Sequence, residues 1–507
     1  MTNKRKDVLI RVKNLKKYFP VKKDMAFQEQ QYVKANDGIS LEIFNGETVG
    51  LVGESGCGKS TLGRVLLQLY SQTGGATFYY GRSLEDLAPK YVFRTIRGLE
   101  KDVKGLEGLR EERRKQKANI DSARNDVDKE KAQKAFAKVD QKIDDYFDTT
   151  VKIFGGLVLA DNLKEVSQIM LEWYKLRGTI IALQRKVNIE ELSYDANIAN
   201  NKQSKANKLK ANIEKGNAEL EKLEQQLAVV QKKLDEIREV VKKDEKFERY
   251  ESRKDSGIDL ARLKESEMRL LRTDLQIIFQ DPYSSLNPRM TVGQIIGEAL
   301  ITHGYFKSGT DKLNEYVTEV MEQCGLQAYM IHRYPHEFSG GQRQRIGIAR
   351  ALAVRPKFVV CDEAVSALDV SIQSQIINLL KELREKQGFS YMFISHDLGV
   401  VRYISDRIGV MYLGKLVELS PTEDMFNHTQ HPYSEALLAA IPTTDNDSRG
   451  KIIPLEGDVP SPVNPPSGCL FHTRCKYCQE ICKVEEPAFK EVRPGHFVAC
   501  HLRGDNK

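Results

Sequence analysis

The residues Gly53-Glu54-Ser55-Gly56-Cys57-Gly58-Lys59-Ser60 place two glycines around a short loop, with a lysine and a hydroxyl directly after the second. That pattern suits chemistry on phosphates. Glycines let backbone N–H groups face phosphate oxygens, Lys59 supplies a mobile point charge, and the Ser60 hydroxyl is a Mg²⁺ ligand. Ser55, Gly56 and Thr61 complete the loop and the helix start that follows it. Far downstream, the apolar run Phe358–Cys361 ends in two acids, Asp362 and Glu363. Asp362 is placed to hold Mg²⁺, directly or through water, and Glu363 to polarise an attacking water. A third group, Cys469, Cys475, Cys482 and Cys500, follows a Pro-rich stretch. Ordered cysteines of this kind fit zinc or an iron–sulfur cluster, with a disulfide or buried free thiols as the plainer reading. Their spacing lacks the paired C-x2-C knuckles of zinc ribbons, although Cys475 and Cys478 form one such pair.

These residues need elements to hold them. Glu47–Val52 reads as an apolar strand closed by Gly53, and Lys59–Leu69 as the helix whose N-terminus faces the phosphates. Residues 8–93 alternate short strands with that turn and helix. Between 95 and 265, 70 of 171 residues are charged, a density that suits long solvated helices better than a compact core. Within that span Ile213, Leu220, Leu223, Leu227, Val230, Leu234, Ile237 and Val241 step by sevens, threes and fours, a heptad seam. Leu163, Val166, Ile169, Trp173, Leu176, Ile180, Leu183 and Val187 offer a partner helix, so a helical hairpin is expected; 100–147 is helical by composition with a weak apolar stripe. The α/β pattern returns with a strand at Asp274–Phe279, a helix at Thr310–Cys324 and a buried parallel strand at Lys357–Cys361. Pro442, Pro454, Pro460, Pro462, Pro465 and Pro466 mark a linker into the cysteines. The expected division is 1–94, 95–265, 266–440 and 441–507.

Composition narrows the classes. No run approaches the roughly 20 apolar residues of a membrane span, and Met1–Lys6 leads into a strand-like segment without an apolar signal core. A membrane role would therefore come through a partner. A net charge of +7 on 507 residues, with both signs interspersed, favours a solvated surface over a nucleic-acid groove. Cys57, Cys324 and Cys361 are scattered and the other five cysteines cluster late, unlike a secreted disulfide scaffold, so a reducing compartment is expected.

Further residues carry a resemblance. Phe338-Ser339-Gly340-Gly341-Gln342 resembles the signature of ABC ATPases, at a helix start that again suits a phosphate. Gln280 resembles the Q-loop glutamine that senses Mg²⁺ and the water, Ser366-Ala367-Leu368-Asp369 the D-loop, and His396 the switch histidine at the γ-phosphate. Together with the phosphate loop and Asp362-Glu363, these form an ordered set in one head. The resemblance implies an ATP- and Mg²⁺-dependent hydrolase with Glu363, His396 and Gln280 at the reacting centre and Ser60, Gln280 and Asp362 around Mg²⁺. It also implies a P-loop fold with a RecA-like core and a helical subdomain, here with an inserted coiled-coil domain and a C-terminal cysteine region. Phe19 or Tyr18 would stack on adenine; Phe19 is taken. Signatures of this kind serve the nucleotide of a second head, and one set implies a dimer.

The resemblance narrows further. Phe279–Met290, Tyr334–Gln342, His431-Pro432-Tyr433 and the Cys469, Cys475, Cys482, Cys500 spacing are similar to the ATP-binding subunits of oligopeptide and dipeptide importers, over roughly 1–94 and 266–507. This implies a peripheral subunit on the cytoplasmic face, a sister ATPase in a heterodimer, two membrane permeases, an extracellular peptide-binding protein and no nucleic acid. It also implies a [4Fe–4S] cluster on Cys469, Cys475, Cys482 and Cys500, with zinc second. Ala364 departs from the family's proline, and the 95–265 insertion has no counterpart in its pattern. The competing reading is a DNA-repair or chromosome ATPase, in which a coiled coil separates the Q-loop from the signature. Here Gln280 and Ser339 lie close in sequence and the insertion precedes both.

Overall fold

Every residue of Thr48–Val52, Phe358–Asp362 and Ser390–Ile394 is buried. Strands without a polar face need a cover on both sides, as parallel strands of α/β folds have, and these three form the middle of the larger sheet. The computed structural model describes residues 7–23, 29–123, 126–199, 203–366, 368–440 and 457–503. They fall into two compact units. One comprises Met1–Gly81, Asp259–Ala261 and Met268–Lys507; the other, Arg82–Ile258 and Arg262–Glu267.

In the first unit the strands are β1 (Val8–Pro20), β2 (Tyr32–Phe44), β3 (Thr48–Val52), β4 (Gly74–Tyr79), β5 (Leu275–Ile278), β6 (Phe358–Asp362), β7 (Ser390–Ile394), β8 (Arg407–Tyr412), β9 (Lys415–Pro421), β10 (Phe489–Arg493) and β11 (His496–Ala499). The large sheet runs β10-β11-β9-β8-β3-β7-β6-β5. Its β8-β3-β7-β6-β5 portion is parallel, with Leu51 beside both Ile394 and Gly409. From β8 outward the pairing is antiparallel, which brings the C-terminal hairpin into the same sheet. A second, antiparallel sheet sets β2, β1 and β4 side by side.

Helix α1 (Lys59–Leu66) follows the phosphate loop and packs closely on the parallel strands: a Cβ on Gly63 would come within 2.7 Å of Val360. It stops earlier than Leu69, with Leu67 as its cap. Helices α2 (Val292–Thr302), α3 (Asp311–Gln323) and α4 (Gly340–Leu352) pack on one another through Ile296, Leu300, Val317, Met321 and Ile346, all in one core cluster. Thr310 caps α3, its hydroxyl accepting from Leu313 N. Then come α5 (Val370–Gln387), α6 (Leu398–Ile404) and α7 (Pro432–Ala439). Of the prolines expected to mark a linker, Pro442 and Pro454 lie outside the described residues, while Pro460, Pro462, Pro465 and Pro466 lie in a described stretch without helix or strand.

The second unit is helical and begins at Arg82, ahead of the change in charge density. Its longest helices, Leu163–Ala199 and Gln203–Val241, pack together around Ile180, Val187 and Leu220, flanked by Leu183, Ile213, Leu223 and Leu227. All eight residues of the heptad seam are buried or half-buried, whereas Val229 and Val240 between them are exposed. Lys90–Asp121 packs on both Asp126–Tyr146 and Leu163–Ala199, burying Val92, Ile96 and Leu99. An Arg113–Asp140 ion pair at 2.5 Å joins the first two. No described helix is long and apolar enough to cross a membrane.

Candidate nucleotide site

The phosphate loop leaves β3 at Gly53 and enters α1 at Lys59. Gly58 has φ 101°, and a Cβ there would lie 2.0 Å from the Ala35 carbonyl oxygen. Only glycine accepts both the left-handed backbone and that approach. Gly53 is similarly confined, by Met411 O at 2.3 Å. Asn36, fully buried on β2, donates from Nδ2 to Gly58 O at 3.1 Å and so pins the far end of the loop. Lys59 is buried, and its ammonium donates to Gly53 O at 2.7 Å and Glu54 O at 3.0 Å. The charge is thus held inside the curve that Ser55, Gly56, Gly58, Ser60 and Thr61 trace.

The two acids take different surroundings. Asp362, at the end of β6, is almost fully buried; Arg64 of α1 donates to its Oδ2 at 3.2 Å, and its Oδ1 has no partner. A buried carboxylate oxygen without a donor is costly, and a Mg²⁺ ion or its water would satisfy it. Glu363 adopts φ 49°, rare for a residue with a Cβ, which turns its side chain off the strand line. Gln280 Nε2 donates to Glu363 Oε2 at 2.7 Å, and His396 Nδ1 lies 3.9 Å from the same oxygen. The His396 side chain is 64% exposed. Three residues expected from separate motifs, following β5, β6 and β7, therefore meet at one carboxylate.

Two family models match this chain. That of the ABC transporter covers residues 36–154 and 248–366, and that of the oligopeptide/dipeptide transporter C-terminal region covers 417–482. The oligopeptide transport ATP-binding protein AppF of Bacillus subtilis (strain 168) is 52% identical over 251 residues, 48% of this chain and 75% of that protein. A putative peptide import ATP-binding protein of Brucella ovis is 53% identical over 244 residues, 48% of this chain and 76% of its own length. The putative oligopeptide transport ATP-binding protein YkfD of Bacillus subtilis is 51% identical over 249 residues, 48% and 75% respectively. The chain belongs to the ABC transporter ATP-binding proteins of the oligopeptide/dipeptide type.

Phe338–Gln342, which resembles the ABC signature, stands at the start of α4. Ser339 caps the helix: its hydroxyl accepts from Gln342 N at 3.3 Å while Gln342 Oε1 accepts from Ser339 N at 3.1 Å, a reciprocal capping box. A Cβ on Gly341 would meet Ile372 at 2.5 Å, so the signature glycine is what lets α4 approach α5; Gly340 has more room. In the D-loop, Ser366 Oγ donates to Glu363 O at 3.0 Å and Asp369 caps α5 by accepting from Ile372 N; Ala367 lies outside the described residues. Ala364, in place of the family's proline, is buried. Of the two aromatics near the start, Tyr18 donates its hydroxyl to Asp37, and burial, joined by that bond, pushes its pKa up. Phe19 meets Tyr70 edge-on at 5.6 Å, with the Lys17 ammonium 4.7 Å over its ring.

The cysteines part from the expectation. Cys469, Cys475, Cys482 and Cys500 are free thiols, and among the described residues no three Cys, His, Asp or Glu are gathered to hold a metal ion. Burial pushes Cys469 up to about 11 and raises Cys475 and Cys500 too, with neighbouring thiols of the group adding to it. With no such group among the described residues, the expected [4Fe–4S] cluster, and the zinc alternative, are not supported.

Sequence reasoning missed Glu54, Tyr433 and Arg474. Arg474 donates through both terminal nitrogens to the Glu54 carboxylate, at 2.8 and 3.0 Å, and Glu54 N donates to Tyr433 Oη at 2.8 Å. No local signal reveals a pairing across 420 positions; the nearest hints were Glu54 inside the phosphate loop and an arginine beside Cys475.

Proposed function

We propose that this chain is the ATP-hydrolysing subunit of an ABC importer, energising uptake of oligopeptides or dipeptides across the cell membrane. The observation that carries the reading is the meeting of Gln280 and His396 on Glu363, in a chain whose C-terminal part matches the oligopeptide/dipeptide transporter region. In this reading Glu363 polarises the attacking water, Gln280 orients it and stands near the metal, and His396 contacts the γ-phosphate. Ser60 and Asp362 hold Mg²⁺, which supplies charge neutralisation on the phosphates. Gly53, Ser55, Gly56, Gly58, Lys59 and Thr61 hold the triphosphate, and the Phe19 ring stacks on adenine. Ser339, Gly340, Gly341, Gln342 and Asp369 face the nucleotide of a sister ATPase, with which this chain forms a heterodimer.

The chain sits peripherally on the cytoplasmic face beneath two permeases, supplied by an extracellular peptide-binding protein. The inserted helices form a coiled coil that offers a protein contact surface. Affinity purification from the membrane fraction, with uptake of a labelled peptide, tests the assignment. Two permeases and a second ATPase co-purify, and uptake stops in Glu363→Gln cells; recovery without them, or unaltered uptake, contradicts it. Metal analysis and the visible absorption of anaerobically purified protein test the cysteine region, where a stoichiometric iron–sulfur spectrum would restore the expected cluster and a colourless protein without metal would exclude it.

A further inference from the structure

Glu54 occupies an unusual place for a carboxylate. It lies inside the loop that wraps a triphosphate, where a bare negative charge would oppose binding. All three of its polar groups are engaged. Its carbonyl accepts from Lys59 Nζ at 3.0 Å, its N–H donates to Tyr433 Oη at 2.8 Å, and its carboxylate receives the Arg474 fork at 2.8 and 3.0 Å. Only the first of these partners belongs to the loop. Tyr433 opens α7 and Arg474 lies between Cys469 and Cys475, so the other two come from the C-terminal region.

The pairing is built rather than incidental. The Arg474 side chain is 5% exposed, and its guanidinium is walled by Tyr412, 5.9 Å from ring centroid to Cζ. Tyr412, Tyr433 and Phe471 pack on one another at 4.8 to 5.4 Å between centroids, fixing the frame from which Arg474 and Tyr433 reach the loop. The Glu54 partnership raises the Arg474 pKa, and Arg474 Nε has no partner, so the two terminal nitrogens carry the interaction. A bidentate guanidinium–carboxylate pair fixes direction as well as distance. Behind Tyr433 a buried chain continues: Tyr433 N donates to His431 Nδ1 at 3.1 Å, His431 N to Glu418 Oε2 at 3.0 Å, and His496 Nε2 lies 2.8 Å from Glu418 Oε1. The phosphate loop is thereby tied to β9 and β11 at the antiparallel end of the sheet.

We propose that Arg474 is a positioning residue for the nucleotide site: by clamping and neutralising Glu54, the C-terminal region sets the loop geometry in which Lys59 meets the triphosphate. The proposal rests on the loop being the ATP site, and the experiment separates the two. ATP hydrolysis and binding of a fluorescent ATP analogue are measured on the full chain for wild type, Arg474→Lys, Arg474→Met, Glu54→Gln and the double variant Glu54→Gln/Arg474→Met. In Arg474→Met the KM and the analogue's Kd rise about tenfold while kcat changes less than about threefold, because a misplaced positioning group is felt first in binding. Arg474→Lys, which keeps the charge but loses the fork, falls between. The double variant leaves neither charge buried alone, so its KM is lower than that of Arg474→Met. If Arg474→Met does not fold, Arg474→Lys and the double variant supply the comparison with Glu54→Gln. A folded Arg474 variant with wild-type KM and Kd and only a lowered Tm makes the arginine merely structural and overturns the proposal, as do strictly additive effects in the cycle. Failure of wild type itself to bind or hydrolyse ATP would instead strike the assignment of the loop.

Discussion

The two units of this chain hold themselves together in opposite ways. In the ATPase unit, the groups that meet are far apart in sequence: Gln280 with Glu363, Arg64 with Asp362, Arg407 with Glu47, Arg474 with Glu54. Most are buried or partly buried charges held by exact partners, so each residue type matters. In the helical unit, Ile180, Val187 and Leu220 close a seam between two long helices, and most of the charged residues lie on their exposed outer faces. A seam of that kind needs only apolar residues at the right period. The difference teaches where chemistry can reside: the first unit adds specific buried polar contacts to its apolar core, while the second closes its seam by interchangeable packing.

The contrast can be broken most sharply at Lys59. Replacing it with alanine removes the only positive charge inside the phosphate loop, and ATP turnover is expected to fall at least about a hundredfold; hydrolysis assays with the purified chain check it. A smaller effect is expected in the other unit. Leu220→Ala opens a cavity in the seam and costs about 2–4 kcal/mol of that unit's stability, read by urea denaturation followed by circular dichroism, while ATP turnover stays within about twofold. Comparable loss of turnover would dissolve the distinction between the units.

The smallest effect probes the buried polar chain. Burial lowers the His431 pKa to about 4 from an ordinary 6.5, partly opposed by Glu418. Between those values the unfolded chain binds a proton that the folded one excludes, so stability falls as pH drops through that window. Between pH 7 and pH 5 the loss from this group is about 2 kcal/mol. Denaturant titrations at the two pH values measure it, and His431→Asn should flatten the difference.

Much of this was legible beforehand, for physical reasons that also set the limit. Phe358–Asp362 announced itself because a strand buried on both faces has no polar alternation, and the heptad residues from Ile213 to Val241 because a helix seam repeats. Gly58, Lys59 and Glu363 stood out in the sequence because phosphate chemistry leaves few residue choices. The start of the inserted unit was not: charge density changes near 95, yet the chain enters that unit at Arg82, because the first turns pack apolar residues such as Leu84 and Leu87. The Arg474–Glu54 pair was invisible, since nothing in a lone arginine tells which carboxylate the fold brings to it. The cysteines misled for a related reason: their spacing in sequence says nothing of how the fold gathers them, and among the described residues no metal-holding group forms.

The account stands on Glu363 as the group that polarises water, oriented by Gln280 and His396. Replacing Glu363 with Gln keeps the size of the side chain and removes its basicity. ATP turnover should then fall by about a hundredfold or more, with the affinity for a fluorescent ATP analogue within about threefold of wild type. Turnover near the wild-type rate in that variant would contradict the account at its centre.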